Sequence, residues 1–142
     1  MAIQSDPTTA DVIAVAEFRS ALRHFLRRSE KIARQSGLTP QRYTLLMMIK
    51  GALDGSQRST VTELADRMQL AQSTVTELVR RAESAGLIDR AQSQRDARVA
   101  HLRLTPEGER RLMLSFTELD AERAQLRDAF ANLDGGVTGS SV

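Results

Sequence analysis

Residues 61–98 read VTELADRMQLAQSTVTELVRRAESAGLIDRAQSQRDAR. Just upstream, Thr60 and Glu63 have the spacing of a capping box, a hydroxyl followed three residues later by a carboxylate, and this predicts a short helix over 61–68. Gln69-Leu70-Ala71 makes a tight turn. A second helix is expected over 72–85, stopped by Gly86. Residues 87–90 and 99–104 read as strands. In the second, Ala100, Leu102 and Leu104 alternate with His101 and Arg103, the pattern of a half-buried antiparallel strand. The polar loop 91–98 joins the two.

A helix, a turn, a helix and a basic hairpin in unbroken order predict a mainly α fold. It is a winged helix-turn-helix whose wing is a small antiparallel β-hairpin. In the second helix Val75, Leu78, Val79 and Ala82 form one apolar stripe, and Gln72, Ser73, Thr76, Glu77, Arg80 and Arg81 lie on the other face. Short hydrogen-bonding side chains at a helix N-terminus can approach base edges and phosphates closely. The same pattern also describes an ordinary amphipathic surface helix; the preceding capped helix and the following hairpin favour the first reading. In the hairpin, Arg95-Asp96-Ala97-Arg98 sits where the loop turns back. Asp96 could hold the Arg98 guanidinium extended toward a narrow minor groove, where the potential is most negative. The plainer alternative is an exposed ion pair worth at most about 1 kcal/mol.

Working outward, Thr39-Pro40 caps and starts a helix over 41–53. Its Tyr43, Leu45, Leu46, Met47, Met48, Ile49 and Leu53 are apolar on nearly all sides, as a core helix requires. Residues 11–36 are expected as a long helix ending at Gly37, with Val15, Phe18, Leu22, Phe25 and Ile32 on a seven-residue rhythm broken by Ser29. Thr105-Pro106 starts a last helix expected to run unbroken to Leu133. Leu112, Phe116, Leu119, Leu126, Phe130 and Leu133 repeat the rhythm. The expected organisation is one domain over 1–142. Dimerisation helices at 11–36 and 106–133 flank a DNA-binding lobe at 38–104, with flexible tails at 1–10 and 135–142. One lobe cannot cover both outer seams, so two copies are expected to cover them across a two-fold axis.

Composition narrows the function. The chain has 142 residues, a net charge of +2 and no cysteine, which excludes disulfides and thiol chemistry. His24 and His101 lie outside any metal-ligand spacing, so neither a metal nor a cofactor is expected. No apolar run approaches the roughly 20 residues that cross a bilayer, and MAIQSDPTTA lacks the basic flank and apolar core of a signal peptide; a cytoplasmic protein is expected. No nucleophile–base pair, paired carboxylates or phosphate loop can be placed, so no catalytic residue is assigned and an enzyme is not expected. From Arg80 to Arg103 six arginines face three acids, and arginine suits phosphate and guanine contacts.

LTPQRYTLLMMI, VTELADRMQLAQSTVTELVRRAESAGLIDR, the Asp96-x-Arg98 wing and LTPEGERRL together resemble the MarR family of winged-helix transcription regulators. The resemblance implies a sequence-specific regulator, most often a repressor. Its homodimer would bind double-stranded DNA at a pseudo-palindromic operator. It implies that Arg98 enters the minor groove supported by Asp96, with Arg95 beside them in the wing. Gln72, Ser73, Thr74, Thr76 and Glu77 would face the major groove, with Arg80 following on the same helix. In many similar regulators a small, often phenolic, anion binds between the dimer helices and the lobe and lowers DNA affinity. His24, Arg27, Arg42, Tyr43 and Met47 are this chain's candidates for such an effector. Each also has an ordinary role open to it: Tyr43 as core, Met47 as filler, the arginines as solvated faces. Three departures stand out. Ala71 occupies a position where a serine N-cap is common. Glu77 stands where a basic or polar residue is common; its carboxylate could accept from a cytosine amino group or pair with Arg81. Ala82 is smaller than the usual leucine. The alternative function is a winged-helix protein-interaction module that no longer reads DNA.

Overall fold

The computed structural model describes residues 6–92 and 99–135. The elements are α1 (Thr9–Gln35), α2 (Pro40–Lys50), α3 (Val61–Met68), α4 (Gln72–Ser84), β1 (Ile88–Gln92), β2 (Ala100–Leu104), α5 (Pro106–Thr117) and α6 (Asp120–Gly135). They form two compact units, residues 32–117 and a pairing of residues up to 31 with those from 118 onward. Of the expected tails 1–10 and 135–142, residues 1–5 and 136–142 lie outside the described residues, while α1 already begins at Thr9 and α6 takes in Gly135.

In the larger unit α2 is the hub, touching α3, α4, α5 and β2. Thr39 caps it, accepting from the Arg42 amide at 3.2 Å, and Pro40 takes the first turn. Tyr43, Leu45, Leu46 and Ile49 are buried in it. Leu64 of α3, Val75 and Val79 of α4, Leu102 of β2 and Leu112 of α5 complete this core. Thr60 caps α3 by accepting from the Glu63 amide, and its hydroxyl donates back to the Glu63 carboxylate. Three helix ends share one device. Gly37, Gln69 and Gly86 adopt left-handed φ. The following Leu38, Leu70 and Leu87 donate their amides to Ala33, Ala65 and Ala82, five residues back. This is the Schellman closure, which satisfies last-turn carbonyls and turns a leucine inward.

β1 and β2 pair antiparallel, with Ile88 opposite Leu104 and Arg90 opposite Leu102. Buried Ser59 adds a rung that the sequence did not suggest: its amide and carbonyl bond both polar groups of the Leu102 backbone. α5 starts against the end of α4. Thr105 donates its amide to the Leu87 carbonyl and its hydroxyl to the Gly86 carbonyl, and the Gly108 amide donates to the Thr105 hydroxyl.

Two expectations need correction. α2 ends at Lys50, and Leu53, expected in the core helix, is 90% exposed. Gly51 is the C-cap, its amide donating back to the Met47 carbonyl at 2.8 Å, and the Arg67 guanidinium adds a cap from outside the helix, donating to the Met48 and Gly51 carbonyls at 3.0 and 3.1 Å. The last helix, expected unbroken, is two, interrupted at Glu118-Leu119. The Thr117 hydroxyl bonds back to the Met113 carbonyl, a contact that bends helices, and the turn buries Leu119 completely. α5 thereby belongs with the larger unit and α6 with the smaller. In the smaller unit the Phe18 and Phe130 rings meet edge to face at 5.9 Å, and Arg28 pairs with Glu122 at 3.4 Å.

Gly108 has no room for a side chain. A Cβ there would lie 2.1 Å from the Leu87 carbonyl oxygen, which is backbone and cannot step aside. Gly108→Ala should therefore cost about 1–3 kcal/mol, read as a lowered denaturant midpoint at unchanged slope. A wild-type midpoint would contradict this packing.

Candidate nucleic-acid interface

α4 carries the candidate interface because of how it is buried. Val75, Leu78, Val79 and Ala82 face the core, Val79 and Ala82 with no exposure at all. At about 100° per residue, the line opposite this stripe passes through Ser73, Glu77, Arg80 and Ser84. Gln72, Ser73, Thr74, Thr76 and Arg80 are exposed and Glu77 half-exposed, so the candidate residues of the helix share its outer side. The small Ala82, a departure from the family pattern, is fully enclosed.

The start of α4 has the geometry expected of Ala71. Ala71 is the N-cap in extended conformation and makes no side-chain cap bond. Gln72 instead reaches back to α3, its amide group donating to the Thr62 hydroxyl at 3.3 Å. Thr62 was not singled out in the sequence; it joins the two helices of the motif at their exposed edge.

Glu77 forms more than the expected pair. Its carboxylate accepts from Arg80 Nε at 3.0 Å and Arg80 Nη2 at 2.5 Å, and from Arg81 Nε at 3.1 Å. The hydrogen bonds from Arg80 first, then those from Arg81, lower its pKa from an ordinary 4.5 to about 2. Glu107 of α5 repeats the arrangement with Arg110 and Arg111. The shared pattern is Glu-x-x-Arg-Arg, which closes one carboxylate on both the third and the fourth residue along a helix.

Arg90 of β1 donates to Glu83 of α4 at 2.8 Å. This bond ties the hairpin base to the far end of the helix. Spacing alone gives no sign of it, because the two residues lie on either side of the Gly86 turn. The wing residues Arg95, Asp96 and Arg98 lie outside the described residues. Of the candidate effector residues, His24 and Arg27 stand on α1 in the smaller unit and line a groove with Ser20, Arg23, Leu26 and Glu30. The His24 Nδ1–H donates to the Ser20 carbonyl at 2.7 Å. Arg42, Tyr43 and Met47 stand on α2 in the larger unit, Tyr43 buried and the other two half-buried.

Comparison with known proteins agrees with this geometry. Residues 36–99 match the model of the MarR family. YsmB of Bacillus subtilis (strain 168), an uncharacterised HTH-type transcriptional regulator, is 32% identical over 120 residues, 82% of this chain and 77% of YsmB. This chain belongs to the MarR family of transcription regulators. Solved members share its fold. A mutant of E. coli MarR complexed with operator DNA superposes with a TM-score of 0.67 at 17% identity, covering 94% of this chain and 96% of that one. A mutant of S. aureus MepR bound to an oligodeoxyribonucleotide gives 0.63 at 21% identity, covering 85% and 93%. The family match takes in the helix-turn-helix and β1 of this MarR-family chain.

Because the folded pKa of Glu77 is depressed, its contribution to stability is full above about 4.5 and is lost as pH falls toward 2. A carboxyl-carbon NMR titration should place its midpoint near 2. In Arg80→Ala the midpoint should move up toward 4.5, since the largest cause of the shift is gone. An ordinary midpoint in the wild type would contradict the triad.

Proposed function

We propose that this chain is a sequence-specific transcriptional repressor that binds a pseudo-palindromic operator as a homodimer. The observation that carries the reading is the outward polar side of α4, fixed by a fully buried opposite stripe. α4 is assigned to the major groove, with Gln72, Ser73, Thr74, Thr76, Glu77 and Arg80 turned to base edges and phosphates. The hairpin is assigned to the adjacent minor groove through Arg98, supported by Asp96, with Arg95 as a further DNA contact, on the strength of the sequence. That mutants of E. coli MarR and S. aureus MepR have been captured with DNA in the same fold supports DNA as the partner.

The dimer reading is supported by apolar side chains that one copy leaves in water. Val12 of α1 is 62% exposed and Phe130 of α6 is 58% exposed, with Ile13, Val15 and Leu26 also open. A second copy covering them would set two lobes on one face of a duplex, suited to half-sites one helical turn apart. Release by a small aromatic or anionic effector belongs to the same proposal.

Binding of labelled duplex at several salt concentrations tests the function. Log affinity should fall steeply and linearly with log salt, because arginines displace condensed cations. A flat response would favour a protein-interaction module instead. Arg98→Ala should weaken binding by about 1–3 kcal/mol while sedimentation still reports twice the monomer mass. Unchanged affinity would remove Arg98 from the interface.

A further inference from the structure

The centre of the outward stripe of α4 is an acid, which is unexpected on a surface meant for a polyanion. The Glu77 carboxylate lies among Ser73, Thr76 and Arg80 on the exposed side, and it engages three guanidinium N–H groups from Arg80 and Arg81. Two consequences follow from charge and geometry. The triad carries a net charge of only +1, so the middle of the helix attracts phosphate weakly. In addition, the carboxylate has no proton to donate. Brought against the edge of a base pair, it is repelled by guanine O6 and N7 and by thymine O4, and it is satisfied by an amino group.

We propose that Glu77 is a specificity-determining residue that works by rejection. Held in place by Arg80 and Arg81, it admits a base whose major-groove edge offers an amino group, cytosine above adenine because adenine N7 sets an acceptor beside its amino group, and penalises a guanine or thymine edge at that position. The inference rests on the DNA-reading role given to α4. Arg80 and Arg81 act as positioning residues: the two-pronged grip of Arg80 fixes the carboxylate plane, and Arg81 holds it from the neighbouring turn. Discrimination is a difference between affinities, and a fixed acceptor with its lone pairs set against the acceptors of the wrong base widens that difference as effectively as an added attraction to the right one. The same chain provides an internal control. Glu107 makes the identical triad with Arg110 and Arg111 on α5, a helix not assigned to the major groove.

The test is parallel selection from a pool of random duplexes with the wild-type protein, Glu77→Ala, Glu77→Gln and Glu107→Ala, each first checked for wild-type thermal unfolding. Affinity for one fixed mixed-sequence duplex is then measured for each. The wild type should enrich a motif with a cytosine in each half-site and prefer it over the thymine variant by roughly ten-fold. Both Glu77 variants should lose that preference and bind the mixed-sequence duplex several-fold more tightly, while Glu107→Ala keeps the wild-type motif. A Glu77→Ala motif and mixed-duplex affinity equal to wild type would overturn the proposal. An equal shift in Glu107→Ala would overturn it too, by assigning the effect to net charge instead of place. A wild-type protein that enriches no sequence would remove the DNA-reading role itself.

Discussion

The burial of one side of α4 governs everything else about this molecule. Val75, Leu78, Val79 and Ala82 leave water together, on a helix packed against α3, α2 and β1. Four apolar side chains on one stripe fix both the position of the helix and its rotation about its own axis. A rotation of one residue, about 100°, would put Thr76 into the core and Val75 into water. The outward direction of Ser73, Glu77 and Arg80 is therefore a by-product of core packing. The helix needs that packing, because Thr74-Val75-Thr76 is mediocre helix-forming sequence and Ala71 gives no cap.

The second constraint is the way the hairpin is fastened to that helix. Gly86 turns the chain at the end of α4, Leu87 closes the helix from inside, and Thr105 and Gly108 of the α5 start grip the same two residues from the other side. Arg90 and Glu83 add a polar tie between β1 and α4. Ser59 extends the small sheet from the loop before α3. The base of the wing is thus bound to both helices of the motif, as needed if helix and wing are to meet two neighbouring grooves in register.

Much of this was legible in the sequence because the signals were local. Thr60 and Glu63 located α3, Gly86 ended α4, and the Thr-Pro pairs at 39–40 and 105–106 opened α2 and α5, all as the structure has them. What was missed depends on contacts between residues distant in the chain. The end of α2 at Gly51 is held by Arg67, a residue of the next helix, and that long-range cap leaves no mark in the apolar pattern that runs on to Leu53. The break after α5 contains neither glycine nor proline, and the seven-residue rhythm runs straight across it. The Ser59 rung has no pattern of its own. At Glu77 the spacing to Arg81 was visible, but the stronger grip of Arg80 at the third position depends on side-chain rotamers, which spacing does not encode.

On the proposed function, a core-locked α4 offers its polar side to DNA. Amide NMR shifts, followed as a mixed-sequence duplex spanning two half-sites is added at low salt, test it most directly. The largest changes should fall on Ser73, Thr76, Glu77 and Arg80 and on the hairpin, while the amides of Leu45, Leu46 and Ile49 stay still. Changes gathered elsewhere, with α4 unmoved, would contradict it.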